Sequence, residues 1–423
     1  MKYLTILGLA MLFYSCISKP IERISHPVDY NKYIADPIPN PLLASVDSEI
    51  VFWENKLKDQ PVGFLYQQKL GAALSAQFEQ TGDINYIHQS NQYLKDAVHR
   101  ISGKSKVSTL LSLSSNSIKL HKFQDALNYA FEASDHTSEH FGPKMMQFDA
   151  LMEVGRYDEA IYTLRSTRRQ ETFAYEVRYA KYQDHIGQLD SAIYYMESAL
   201  EKVNPQDQDN WLWTMASLGD YYGHSGDVKK SYETFLNVLE RDPDYRHAIQ
   251  GIAWITYSYD RNPEAALKIY EYLKSTSEMP DQLLAIAEVY EYMGDRNQSK
   301  RLLEEFVTTA AAAKYGDMYN LYLIDHYVNH DVNQAIALAQ KEVQYRPTPQ
   351  TYAALAWSLY HNDQIDESLE LIQRHVITST YEPDLLRKSA VIAAAADEKQ
   401  LAAQLLEDIS DARFELGPLA VID

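Results

Sequence analysis

Hydrophobic and polar positions along this chain recur as a unit of two helices. Large apolar residues gather at helical spacing around a small residue, Ala or Ser, and short polar links separate the groups. The small residue stands at Ser90, Ala126, Ala160, Ala192, Ser231, Ala265, Ser299, Ala335, Ser368 and Ala402. The intervals are 36, 34, 32, 39, 34, 34, 36, 33 and 34 residues. A period near 34 is the length of two short helices and two turns, which marks a helical repeat array. Five positions ahead of the small residue a glycine often opens the link, at Gly155, Gly187, Gly226 and Gly294. Glycine suits a helix C-terminus because it enters the left-handed region without a Cβ penalty. Polar residues just beyond it suit the start of a second helix. Farther upstream runs an apolar–small–x–x–aromatic pattern, as in Leu218, Gly219 and Tyr222 or Ile286, Ala287 and Tyr290. Four residues after the small one come Phe235, Ile269 and Leu303, and Pro243 and Pro347 close their units.

These positions resemble the tetratricopeptide repeat. The best unit, 212–245, carries Leu218, Gly219, Tyr222, Ser231, Phe235 and Pro243 at the family's signature places, with Ser231 and Val238 replacing its alanines. The resemblance runs from Leu65 to Asp408, about 340 of 423 residues. It implies an all-α, right-handed superhelical solenoid of about ten helix-turn-helix repeats. The 39-residue interval before Ser231 contains the polar stretch 203–210, read as a longer turn or a kink in the superhelix. In the family, the first helix of each repeat lines a concave groove. Carried over repeat by repeat, the implied groove residues are Lys181, Asp184 and His185, then Trp213 and Asp220, then His247, Gln250, Trp254 and Tyr257. Glu288, Glu291 and Tyr292 follow, then Asn320 and Tyr327, then Trp357 and Tyr360. Indole and phenol rings give large contact area at low entropic cost, so this set is the candidate partner-binding groove.

The N-terminus addresses the chain. Residues 3–14 are apolar except Thr5, and Ser15 and Cys16 follow. Twelve helical residues rise about 18 Å, short of a hydrocarbon core of about 30 Å, so residues 1–15 read as a secretion signal. Cys16, the single cysteine, falls at the cleavage point. This resembles a bacterial lipoprotein signal and implies an exported protein anchored to the cell envelope through a lipid on Cys16. A plain secretion signal or an uncleaved anchor remain as alternatives. Residues 16–45 hold Pro20, Pro27, Pro37, Pro39 and Pro41 and are expected to form an extended, unpacked tether. A first helix is expected over 46–64, with Ile50, Trp53 and Leu57 on one face. The array occupies 65–408. The apolar tail 409–423, running from Phe414 to Asp423 at its end, is expected to fold back over the last helix pair or dock on a partner.

Charge narrows the partners. With 59 Asp and Glu against 39 Lys and Arg, the net charge is −20, and no basic stripe is present to replace counterions on phosphates. Nucleic acid is excluded, and so is lying flat on anionic lipid. His136, Glu139 and His140 match an inverted zinc-protease string but fall where a second helix ends and a turn begins. Gly103, Lys104 and Ser105 echo the end of a phosphate loop, yet Val98 stands where its first glycine is required. A single cysteine excludes a thiol–disulfide enzyme. No catalytic residue, metal ligand or cofactor is expected. The reading is a non-catalytic, lipid-anchored extracytoplasmic scaffold that takes a protein or peptide partner in its groove. The alternative is a glycan- or solute-binding lipoprotein of the nutrient-uptake class. That class carries long insertions between repeats, which these near-constant intervals do not accommodate.

Overall fold

The computed structural model describes residues 22–35, 41–167, 169, 171–204 and 206–420, and no strand occurs among them. The expected signal segment, residues 1–15, and Cys16 lie outside the described residues. Two helices come first, α1 (Pro27–Ile34) and α2 (Pro41–Asp59). Ten consecutive pairs come next. They begin with α3 (Phe64–Thr81) and α4 (Ile84–Val98), α5 (Lys106–Lys119) and α6 (Phe123–Asp135), and α7 (Phe141–Glu153) and α8 (Tyr157–Arg165). Next are α9 (Phe173–His185) and α10 (Leu189–Lys202), then α11 (Gln208–His224) and α12 (Val228–Arg241), then α13 (Arg246–Trp254) and α14 (Pro263–Ser275). The series continues with α15 (Asp281–Tyr292) and α16 (Arg296–Ala310), α17 (Asn320–Tyr327) and α18 (Val332–Tyr345), and α19 (Pro349–His361) and α20 (Ile365–His375). It ends with α21 (Pro383–Ala395) and α22 (Lys399–Asp408), and a short α23 (Arg413–Leu416) closes the chain. The fold is the all-helical solenoid the spacing implies.

The periodic small residue sits on the second helix of every pair, where a larger side chain would force the helices apart. Ser90, Ala126, Ala160, Ala192, Ser231, Ala335 and Ser368 are at most 1% exposed. At two of the serines the hydroxyl is satisfied across the pair: Ser90 Oγ donates to the Gly71 carbonyl at 2.6 Å and Ser368 Oγ to that of Ala356 at 2.7 Å. One position needs correction. In the sixth pair the buried small residue is Ala266, not Ala265. A π-helical turn, Ile255–Tyr259, succeeds α13 and is closed by the Asp260 amide on the Ile255 carbonyl at 3.1 Å. Its extra residue per turn shifts the downstream helix by one position. The 39-residue interval also resolves differently. The extra residues lengthen α11 to 17 residues, against 13 in α9, while the link 203–207 stays short.

The solenoid is wound so tightly that its second turn rests on its first. The Glu278 amide donates to the Thr81 carbonyl at 3.0 Å, and the backbone of Gly155 abuts that of Pro347. Gly187 lies under the ring of Tyr381, and Gly223 under that of Phe414. These contacts join residues roughly 190–200 apart, close to six repeats, so each turn is stacked by a constant step.

The expected tether over 16–45 is not borne out where it is described. Residues 22–34 pack. The Ile24 and Ser25 amides donate to the two carboxylate oxygens of Asp260, each at 2.8 Å, and Tyr30 and Tyr33 are buried. Pro27 lies in the first turn of α1, where its missing N–H costs nothing, so proline starts a helix here. The first repeat-flanking helix, α2, runs over 41–59 in place of 46–64. No helix among the described residues is long and apolar enough to cross a membrane.

Candidate functional site

The first helices of successive pairs face one another around a groove. Side chains of α5, α7, α9 and α11 enclose a cavity of about 670 Å3. Farther along, α17, α19 and α21 enclose another of about 350 Å3. Between them, α11, α13 and the C-terminal residues surround a space of about 520 Å3.

Along this groove a carboxylate on one first helix meets a base on a later one. Asp149 of α7 holds Arg178 of α9 at 2.6 Å, and Glu153 holds Lys181 at 2.8 Å. Asp220 of α11 accepts from His247 of α13 at 2.6 Å, and Asp325 of α17 pairs with Lys388 of α21 at 3.0 Å. Burial favours the neutral form of each of Glu153 and Lys181, but their mutual attraction outweighs it; the carboxyl sits below, and the ammonium above, its ordinary value. His247 is raised in the same way, its burial overcome by the hydrogen bond and charge of Asp220. Burial leaves Asp184, Glu288, Glu382 and Glu415 with raised carboxyls.

Six of the residues inferred from sequence line cavities of this groove. Lys181, Trp213, Asp220, His247, Gln250 and Trp254 line the two cavities around α11. Trp213 is 44% exposed at the rim of the larger one. Glu291 pairs with Arg296 at 3.4 Å. The His185 ring packs at a tilt of 34° against that of Tyr157, with ring centres 3.9 Å apart. Trp357 is half-buried and stacked on Tyr360 at 5.2 Å, with the Lys388 ammonium 6.0 Å from its ring. Tyr327 is also half-buried, packed among the helices of its own and neighbouring pairs.

Two of those residues are not groove surface. Tyr257 is 1% exposed, because it lies in the π-helical turn that rotates it into the core against Tyr292, at 5.6 Å. Asn320 is buried at the start of α17, where its amide donates to Asp317 at 3.0 Å and Glu342 at 2.6 Å. Conversely, Met146, Asp149, Glu153, Phe173 and Arg178 line the larger cavity although the repeat signature does not point to them. The same positional rule applied to α7 reaches several of them, but the signature of the early repeats is too weak to fix its register.

The string His136, Glu139 and His140 lies between α6 and α7, where Glu139 pairs with Arg169 at 3.4 Å. Among the described residues no group of three or more His, Cys, Asp or Glu is placed to hold a metal ion.

No protein-family model matches the chain, and no curated protein matches it. Among solved structures it is similar to a tetratricopeptide repeat protein from Parabacteroides merdae. The TM-score is 0.39 at 13% identity, over 56% of this chain and 92% of that one. It is also similar to Cut9–Hcn1, described as an APC/C hetero-tetramer, with a TM-score of 0.36 at 12% identity over 94% of this chain and 97% of that one. The fold class rests on the chain's own ten helix pairs, and helical repeat proteins stand among its structural neighbours.

Proposed function

We propose that this protein is a non-catalytic scaffold whose concave groove binds an extended segment of a partner protein. The observation that carries this reading is that the groove already holds polypeptide: residues 414–417 of the chain itself lie across α11 and the π-helical turn. A surface that accommodates a main chain and an aromatic side chain in cis has the shape and donors to do so in trans. The neighbouring cavity offers Met146, Phe173, Val177 and Trp213 beside the Asp149–Arg178 pair, a mixture of apolar area and fixed polar groups suited to a peptide. Its test is crosslinking of intact cells followed by identification of the attached protein, with a Phe173→Ala/Trp213→Ala variant that keeps its melting curve as control. Loss of one defined partner in the variant supports the reading. Identical adducts in both forms count against it, and a sugar-array screen then takes up the glycan alternative.

The extracytoplasmic, lipid-anchored setting belongs to the same proposal and rests on the sequence around Cys16. Ile24, which is docked, lies eight chain steps beyond Cys16, a span of at most about 28 Å. A lipid on Cys16 would therefore hold the face formed by α1, α12 and α14 close to the bilayer. Partitioning into detergent that is abolished by Cys16→Ser supports this; equal partitioning of both forms removes it.

A further inference from the structure

Beyond α22 the chain leaves the last helix pair and crosses into the groove of the preceding superhelical turn. Leu416 stays on the last pair, packed against Leu386, Ala390, Leu405 and Ile409. Phe414 points the other way. Its ring lies on the bare backbone of Gly223 in α11, so close that a Cβ there would stand 2.9 Å from Cε1. Its carbonyl accepts from Ser258 Oγ at 2.5 Å, in the π-helical turn. Gly417 then takes a left-handed φ of 76° under Trp254, where a Cβ would come within 2.9 Å of Cη2. Two glycines, one on each partner, thus make room for two aromatic rings.

The seating is specific but shallow. Phe414, Glu415 and Leu416 are only half-buried, and α23 is a four-residue helix. Glu415 enters among Asp184 of α9, His224 of α11 and Glu382 ahead of α21, so its one basic neighbour there faces two further carboxyls. A space of about 520 Å3 remains around the segment, so the groove is wider than its occupant. A structural cap would fill its site; this segment touches its site at a ring, a carbonyl and a glycine turn.

We propose that residues 414–419 are a displaceable internal ligand of the central groove. The partner segment that replaces them carries the same chemistry: an aromatic side chain for the Gly223 cleft, with a glycine turn close behind it beneath Trp254. This rests on the groove-binding reading above and adds to it the recognised sequence and a competitor built into the chain. Tethering gives the internal segment a high effective concentration, so the free site is masked until a better segment arrives.

The test uses the full chain with Phe414→Ala, which vacates the cleft, and a fluorescent peptide of residues 411–423 as probe. The variant is expected to bind the peptide at least about tenfold more tightly than the unaltered protein, whose own segment competes. Adding Gly223→Ala, which suits a helix interior but intrudes on the ring, should abolish binding. Equal binding by the unaltered and Phe414→Ala proteins, or none by a Phe414→Ala protein of unchanged helicity and melting curve, overturns the proposal. Should Phe414→Ala not fold, hydrogen exchange in the unaltered chain decides. Amides of Leu416 and Gly417 exchanging about a hundredfold faster than those of α11 mark a displaceable segment. Equal rates mark a permanent cap and overturn the proposal. None of these readouts needs an outside partner, so their failure is separable from failure of the Phe173/Trp213 crosslinking.

Discussion

The amide of Ser25 donates to Oδ2 of Asp260 at 2.8 Å, and its hydroxyl donates to the same oxygen, joining residues 235 positions apart. The Ile24 amide takes the other carboxylate oxygen. Asp260 is buried, and the π-helical turn just before it aims it at the N-terminal segment. Sequence positions 22–34 are therefore part of the folded body. Asp260→Ala would leave the buried Ser25 amide and the half-buried Ile24 amide without an acceptor and should cost about 2–4 kcal/mol. Limited trypsin digestion gives a local readout, with faster cleavage after Arg23 and Lys32 expected in the variant. A melting curve and a digestion pattern both unchanged would return this segment to the status of a loose tether.

Contact between successive superhelical turns can be isolated with two glycines. Gly187 and Gly226 both hold left-handed φ values, 73° and 84°, so alanine is strained at either. Around Gly226 nothing lies within 4 Å of the would-be Cβ, whereas at Gly187 it would stand 2.6 Å from the Tyr381 ring. Gly226→Ala is expected to cost about 1 kcal/mol from backbone strain alone. Gly187→Ala should cost clearly more, and Tyr381→Ala should reduce the difference. Equal losses in denaturant melts would mean that the two turns do not press on each other.

Phe235 is wedged between Gly219 of α11 and Gly251 of α13, where added Cβ atoms would approach its ring to 2.5 and 2.3 Å. Helix propensity alone favours Gly251→Ala by about 1 kcal/mol, while overpacking opposes it by about 1–3 kcal/mol. The ring is 2% exposed and held between the two glycines, so net destabilisation is expected. A raised melting temperature for Gly251→Ala would contradict this packing.

Docking of the C-terminal segment should depend on pH. Burial first, and the nearby Asp184 and Glu382 after it, raise the Glu415 carboxyl; burial raises Asp184 and Glu382 as well. The docked state thus holds more protons than the released one. Docking is strongest below the ordinary carboxylate range and weakens as pH rises through that range to the raised values. The peptide of residues 411–423 should bind Phe414→Ala protein more tightly at pH 5 than at pH 7.5. A Glu415→Gln peptide should flatten the difference; an unchanged slope would place its origin elsewhere.

The repeat architecture was legible because it is written locally. A small residue at each helix crossing and a glycine in each turn are required by packing and backbone geometry, so they recur with the helices. Gly155, Gly187, Gly226 and Gly294 all adopt the positive φ that their positions implied. The effect of a single inserted residue was not legible. The π-helical turn leaves the interval near 34 yet moves the buried small residue to Ala266 and turns Tyr257 inward. The proline content of 16–45 pointed to an extended chain, but Tyr30 and Tyr33, three apart on α1, carry the opposite signal. The landing place of Phe414 depends on the superhelical pitch, a sum of small rotations over six repeats that no local pattern records.

The central claim is that the groove, and not the outer surface, receives a partner polypeptide. A photo-crosslinking amino acid at position 213, on the groove rim, tests it most directly in living cells. The same group at position 194, where Tyr194 is 64% exposed on the second helix α10 and outside the groove lining, serves as reference. The account predicts a discrete protein adduct from position 213 and none of that mass from position 194. The same adduct from both positions, or from 194 alone, would contradict it.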